Sequence, residues 1–325
     1  MIEKSYMLIF EPILKMRRKA IDNYCLRHPM KAVSRRFYRD FGRKLNWDNP
    51  RDLNEKINWL KFHTDLRSWA RLADKYAVRE YVEERGCGEY LIPLYGKWDN
   101  VEEVISAWDS LPNEFVLKNN NGCGDVLPIS NINGGKQCVT EEELRARLSK
   151  WRDSPMSGMI RRGEFHYLLI KNCFIAEKLL VDESCKDFST SPIDYKFHCC
   201  DGEPYICYVS YGRDFNGKST HQRVGNLYDM EWNQRSDLMS VKYERRKINK
   251  PKNWEEMIEV ARKLSKGHPQ ARVDLYNIDG KIYFGEMTMT SSGGFDTEYV
   301  PELYRAMGDR VTIDLNASPN EYAKF

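Results

Sequence analysis

The sequence has no CxxC pair, no GxxxxGK[ST] loop, no internal repeat and no low-complexity tract. Its apolar runs all fall short of a membrane span, so no spanning helix is expected. Secretion is not indicated either: Met1-Ile2-Glu3-Lys4 leads into an apolar stretch broken by Glu11 and Pro12. Nine cysteines, an odd number without metal-ligand spacing, read as free thiols in a reducing cytoplasm. An excess of charge of one sign is also lacking overall. A net charge of +3 is too small to argue for nucleic acid.

What is present is a core-forming composition. Apolar residues make up 41% and charged residues 30% of 325, which excludes a disordered chain and suits two domains or one large one. The charge is uneven: residues 1–51 hold 13 Lys/Arg against 5 Asp/Glu, leaving the remainder mildly acidic. Tyr6 to Phe10, Ile13 and Leu14 run into Lys15, Arg17, Arg18 and Lys19. This basic amphipathic segment suits an anionic membrane surface, and peripheral contact through residues 1–45 is one expectation. A helix packed on the body with a solvated basic face is the other.

Helical spacing follows Pro50 and Asp52, then runs from Trp69 to Arg85 with Gly86 as its stop. Val101 to Trp108 also reads as helix, and Thr140 with Glu143 caps another reaching about Trp151. Phe115 to Lys118 and Phe174 to Leu180 read as strands. Beyond them the chain turns strand-rich, with one hairpin about Asp201-Gly202 and a second about Asp279-Gly280. Between the two lies an amphipathic helix from Trp254 to Ser265. The whole is α+β, helices early and antiparallel hairpins late.

The last hairpin carries chemistry. Arg272 and Asp274 share one strand face, Glu286 and Thr288 one face of the return strand. A two-residue turn would set Asp274 and Glu286 on opposite faces. A three-residue loop with Gly280 as a bulge would set them together, as two carboxylates holding Mg²⁺ against phosphates require. A surface Arg–Glu pair would fit the same pattern. Lys118 ends an apolar strand before a loop containing Gly122 and Gly124, offering a point charge and close backbone approach to phosphate, or only a turn. Glu177-Lys178-Leu179-Leu180 ends another strand whose backbone could meet an adenine edge. Asp194 and Lys196 share a strand face, and His221, Arg223 and Tyr228 lie in an irregular stretch that reads as a loop over a site.

In order, Asp74-Lys75, Lys118 with its loop, Glu177 to Leu180, Asp194-Tyr195-Lys196, Arg272-Val273-Asp274 and Glu286-Met287-Thr288 resemble the signature of ATP-grasp enzymes. Asn54 to Lys61, Ala73 to Arg79, Tyr90 to Leu94 and Arg272 to Tyr276 with Gly285-Glu286 resemble more closely the TupA-like ATP-grasp group, named for teichuronopeptide synthesis. The resemblance spans roughly residues 50 to 300. It implies an ATP-grasp fold of two α+β subdomains clamping ATP: a basic segment 1–50, a helical region 51–112, a lid subdomain 113–182 and a metal-bearing subdomain 183–325.

It also implies an ADP-forming carboxylate–amine ligase using ATP and Mg²⁺. The substrates implied are a uronic-acid-containing surface glycan or sugar nucleotide, as in capsule polysaccharide synthesis, and a small amine or amino acid, with no nucleic acid. By that resemblance Lys75, Lys118, Gly122 and Gly124 face phosphates, while Glu177 and the backbone of Lys178 and Leu180 meet the nucleoside. Asp182 or Glu183 binds ribose, Asp274, Glu286 and Thr288 hold metal, and Arg272 and Lys196 serve the reacting groups. Thr288 stands where many relatives carry Asn, which weakens that ligand. A glycosyltransferase or a sugar kinase are the alternatives; the DxD triplet common in metal-dependent glycosyltransferases is absent.

Overall fold

The computed structural model of the chain describes residues 2–122, 124–131, 134–185, 187–189, 191–213, 219–241 and 246–325, with the side chains of 2–11, 213 and 219–223 outside the description. Helices α1 (Ile2–Arg27) and α2 (Pro29–Phe41) precede α3 (Leu53–Leu60), α4 (Leu66–Ala73) and α5 (Val78–Glu84). Next come β1 (Leu94–Trp98), α6 (Val101–Ala107), β2 (Phe115–Asn119), β3 (Val126–Ile129), α7 (Glu141–Arg152), α8 (Ser157–Arg162) and β4 (Phe174–Glu177). The chain continues with β5 (Asp194–Cys200), β6 (Glu203–Arg213), β7 (Ser219–Tyr228), α9 (Trp254–Ser265), β8 (Gln270–Ile278), β9 (Lys281–Thr288) and α10 (Pro301–Arg310).

The strands form two antiparallel sheets, ordered β1-β4-β2-β3 and β7-β6-β5-β8-β9, so the fold is α+β. Each sheet has its own core. Leu117 and Phe174 of the smaller pack with Val104 of α6 and Leu144 and Leu148 of α7. In the larger, alternation sends Phe197, Val273 and Leu275 to one face, against Trp254, Met257, Ala261 and Leu264 of α9. Val33 and Phe37 of α2 and Trp69 of α4 join that larger core. The basic segment therefore divides: α2 is packed, whereas every side chain from Pro12 to Ala20 of α1 is exposed. Strand β1, inside the region expected to be helical, pairs with β4 at the edge of the smaller sheet.

Two expectations are corrected. The helix expected from Trp69 to Arg85 breaks at Asp74, whose Oδ1 accepts from the N–H of Tyr76 and of Ala77. A short acid bonding its own downstream backbone competes with the helical ladder and wins here. The stretch with His221, Arg223 and Tyr228, expected as a loop, is strand β7. Tyr228 is buried, stacked on Trp232 with 4.0 Å between centroids, and its hydroxyl lies 3.1 Å from Asn226 Nδ2. The side chains of His221 and Arg223 lie outside the described residues.

The β8–β9 register is the third correction. Ile278 pairs with Lys281, so the turn is the two-residue one, with positive φ at both Asp279 (52°) and Gly280 (81°) as a primed hairpin turn requires. Left regular, that turn would send Glu286 to the core face. Instead the register slips between Asp274 and Leu275: Leu275 pairs with Phe284, Asp274 with Glu286, and Gly285 is the extra residue of a bulge. A Cβ at Gly285 would stand 3.0 Å from the Asp274 carbonyl oxygen and 3.1 Å from Tyr276 Cε2. The bulge is therefore built on a residue with no side chain, and it turns Glu286 onto the face of Asp274.

Candidate active site

The face of the larger sheet opposite α9 gathers the charged groups. Asp194 and Lys196 of β5, Arg272 and Asp274 of β8 and Glu286 of β9 meet across three neighbouring strands, with Lys196 paired to Asp274 and Asp274 to Glu286. Lys196 Nζ lies 2.5 Å from Asp274 Oδ2 and also pairs with Asp194. Arg272 forks onto Asp274, Nε to Oδ1 at 2.6 Å and Nη2 to Oδ2 at 2.7 Å, and reaches Glu286 Oε1 at 3.0 Å. Thr288 Oγ1 stands 3.5 Å from Glu286 Oε1.

Burial by itself would raise the Asp274 carboxyl, but Arg272 and Lys196 hold it well below the usual carboxylate range. Arg272, against the pull of its own burial, is held above its ordinary value by Asp274. Both ions therefore persist at any physiological pH. His198 lies beside Arg272 in register. Burial, with Arg272 alongside, pushes its imidazole down to about 3, and its Nε2 is 3.1 Å from the Tyr299 hydroxyl. That end of the face is thus walled by a neutral ring.

On the smaller sheet, Glu177 is buried and takes two cations, Lys118 Nζ at 2.7 Å and Arg79 Nη1 at 3.0 Å. The break at Asp74 aims the neighbouring lysine: Lys75 Nζ lies 2.7 Å from the Gly122 carbonyl, and its N–H donates to the Asn120 carbonyl at 3.1 Å. The loop is anchored by buried Asn119 and Asn120, the latter bonding Cys173 N–H and the Lys171 carbonyl, both at 2.9 Å. Gly124 has a φ of 85°; Cys123 between the glycines lies outside the described residues.

Lys178 donates its N–H to the Pro93 carbonyl at 2.9 Å, so of its own backbone groups the carbonyl is the one left to read an adenine edge, beside the backbone of Leu180. Leu180 packs with Ile92, Tyr283 and Tyr276, an apolar patch joining the segment after β4 to the polar face of β8. Asp182 Oδ1 is taken by Ser184 N–H at 3.0 Å and Ser184 Oγ at 2.6 Å, whereas Glu183 is exposed. The structure thus brings Lys196, Arg272, Asp274, Glu286 and Thr288 into one cluster. Lys75, Lys118, Gly122 and Glu177 lie around the smaller sheet.

Sequence reasoning assigned no role to a second polar network. Seven of the eight residues of α3 are buried, and its polar side chains hold the segment after β9 by its backbone. Asn54 and Asp296 exchange bonds of 3.0 Å, and Asn58 Nδ2 donates to the Gly294 carbonyl at 2.7 Å. Lys61, fully buried, donates to the Gly293 carbonyl at 2.5 Å and to the Arg162 carbonyl and Asn58 Oδ1, both at 2.7 Å. Glu164 accepts from Thr290 Oγ1 at 2.6 Å and pairs with Arg162. Asn54, Asn58 and Lys61 recur at i, i+4 and i+7, interleaved with apolar Leu53, Ile57 and Leu60, and that two-sided pattern was the available signal.

Among the described residues no group of three or more His, Cys, Asp or Glu could by itself hold a metal. Two carboxylates and a hydroxyl are nonetheless hard oxygen donors of the kind Mg²⁺ takes when substrate phosphates complete its shell, so Asp274, Glu286 and Thr288 fit that ion.

A family described as TupA-like ATPgrasp matches residues 55–312. Among solved structures, the chain resembles a D-alanine–D-alanine ligase from Helicobacter pylori (12% identity, TM-score 0.43, covering 82% of this chain and 69% of that one). It also resembles an L-amino acid ligase from Bacillus licheniformis (11%, 0.42, 82% and 55%). A third is N5-carboxyaminoimidazole synthetase from Staphylococcus aureus complexed with ADP (12%, 0.37, 67% and 44%). The chain spans about half the length of the last two. No curated protein matches the sequence.

Proposed function

Because the chain belongs to the TupA-like ATP-grasp family, we propose that it is an ADP-forming ligase joining a carboxylate, a uronic acid of a surface polysaccharide or its precursor, to an amine or amino acid. The observation that carries the reading is the bulge at Gly285, which turns Glu286 onto the face holding Asp274, Arg272 and Lys196.

A carboxylate is a poor acyl donor because oxide would have to leave. In the proposed reaction a carboxylate oxygen attacks the γ-phosphorus of ATP, the bond to the bridging oxygen breaks and ADP leaves. The amine then attacks the acyl carbon, its carbon–oxygen bond to phosphate breaks, and phosphate departs as the nitrogen loses a proton. Such transfer needs positioning and charge neutralisation more than covalent help.

Lys75 and Lys118 would supply point charges to the phosphates, with the backbone at Gly122 and Gly124. Glu177 holds Lys118 in place. The carbonyl of Lys178 and the N–H of Leu180 would read adenine over the apolar patch. Asp274, Glu286 and Thr288 would hold Mg²⁺, which when bound neutralises and aligns phosphate oxygens. Lys196, fixed by Asp194 and Asp274, would sit at the transferring phosphoryl group. The Arg272 fork would counter charge building on the acyl phosphate and the tetrahedral species after it. A cytoplasmic site of action suits ATP use and the thiols, which are free among the described residues.

The test is to incubate the protein with ATP, Mg²⁺, uronic acids and an amine mixture. ADP, phosphate and an amide product are expected. Turnover of a sugar nucleotide without ATP, or phosphorylation of a sugar hydroxyl, would sink the proposal.

A further inference from the structure

Helix α1 behaves differently at its two ends. Near its C-terminal end it is moored: Asp22 takes Arg161 Nε at 2.7 Å and Ser157 Oγ at 2.6 Å, and Cys25 is buried. From Pro12 to Ile21 every side chain is exposed, over about 15 Å of helix. Four cations, Lys15, Arg17, Arg18 and Lys19, lie in this stretch, between Glu11 and Asp22. Between them stand large apolar side chains, Ile13 at 57%, Leu14 at 46%, Met16 at 73% and Ile21 at 39% exposure, and the apolar surface they leave in water costs free energy.

The two kinds are sorted. At about 100° per residue, Met16, Ala20, Ile13, Ile21 and Leu14 fall within one arc of about 160°. Arg18, Lys15 and Lys19 occupy the opposite side; Arg17 lies within the apolar arc, where its stem can lie along the surface and its head reach out. Among the described residues no helix is long and apolar enough to cross a membrane.

We propose that the Pro12–Ile21 stretch of α1 lies in the headgroup region of an anionic lipid bilayer, its apolar arc inward and its cations against lipid phosphates. Charge complementarity selects this occupant. A lipid surface receives the apolar face while the long stems of the cations on the other side bend toward its headgroups, and this wheel supplies both. An acidic protein groove would have to bury the apolar arc and still reach cations on the far side of the same helix. The proposal is independent of the reaction assigned above.

The experiment is co-sedimentation of the full chain with vesicles of phosphatidylcholine, with and without phosphatidylglycerol. Two triple variants are compared: Ile13→Ser with Leu14→Ser and Met16→Ser, and Lys15→Glu with Arg17→Glu and Lys19→Glu. All six positions are exposed, so the thermal midpoint of both variants should match wild type. Wild type is expected to sediment with the anionic vesicles only. Charge reversal should weaken that partition at least about 100-fold, from about 1 kcal/mol per cation. The serine variant should weaken it at least about tenfold. No sedimentation of wild type with anionic vesicles overturns the proposal, whatever acidic protein the helix then binds. So does a serine variant that sediments as wild type does, because adsorption by charge alone would not seat the apolar arc.

Discussion

Replacing Lys61 by Met removes an ammonium and keeps most of its volume. Lys61 Nζ donates to Asn58 Oδ1, the Arg162 carbonyl and the Gly293 carbonyl, and it lies 4.7 Å from the centre of the Phe295 ring. Two opposed terms follow. A buried charge is no longer desolvated, which favours the variant. Three buried oxygens lose a charged donor, each costing about 1–3 kcal/mol, which disfavours it. Breaking a buried network by removing one partner is the larger effect in general, so a net loss of about 3 kcal/mol is expected in denaturant unfolding.

The pH dependence has a definite sign. Burial pushes the Lys61 ammonium from 10.5 down to about 7, with Glu164 opposing and Arg162 and Arg36 assisting. The folded value lies below the unfolded one, so between about 7 and 10.5 the unfolded chain binds more protons. The stability from this group is therefore full above 10.5 and is lost as pH falls through about 7. The advantage of wild type over Lys61→Met should grow from pH 7 to pH 10. A variant within about 1 kcal/mol of wild type, or an advantage that stays flat with pH, would refute the reasoning.

Gly285→Val should cost about 1–3 kcal/mol, because its Cβ meets the Asp274 carbonyl and the Tyr276 ring, and should abolish ATP-dependent turnover; turnover within twofold of wild type would remove the bulge from the argument. Glu286→Gln, at a half-exposed side chain, should leave the unfolding midpoint unchanged while ATP turnover falls at least about 100-fold in a coupled ADP assay. Asp274→Asn should lose activity and about 3 kcal/mol of stability as well, since Arg272 and Lys196 both rest on it. The Asp274 carboxyl is depressed on folding, so that deficit should persist at every pH above about 4 and shrink only in stronger acid, read by urea melts across pH. Lys118→Met should raise the KM for ATP about tenfold or more with the fold intact by circular dichroism; an unchanged KM would remove it from the phosphate site.

How much was legible depended on how local the cause was. The capping box at Thr140 and Glu143, α9 and both Asp-Gly hairpins came from residues within a few positions of one another. The break at Asp74 was not legible because apolar spacing continues through it, and one side-chain bond decides the matter. Nor was the bulge: turn length seemed to be the only way to align Asp274 with Glu286, but a glycine inside the strand shifts register without touching the turn. The cluster itself pairs Lys196 with Asp274 across 78 positions, a contact no local pattern encodes; strand alternation marked each residue alone, and only the order of motifs joined them in one site. Lys61 at the end of a short helix resembles any solvated lysine until the segment 293–296 is folded over it.

Glu177 with its two cations has a kinetic consequence. Arg79 and Lys118 close on one carboxylate, and Arg272 and Lys196 close on Asp194, Asp274 and Glu286. Across the two clusters these cations and carboxylates balance, so from beyond a Debye length they project little field. An approaching nucleotide is not drawn in by these groups from afar; it meets their charge only on exchanging partners at contact. Encounter through them should therefore run at an unsteered rate nearly indifferent to salt, and discrimination should reside in how fast the nucleotide leaves.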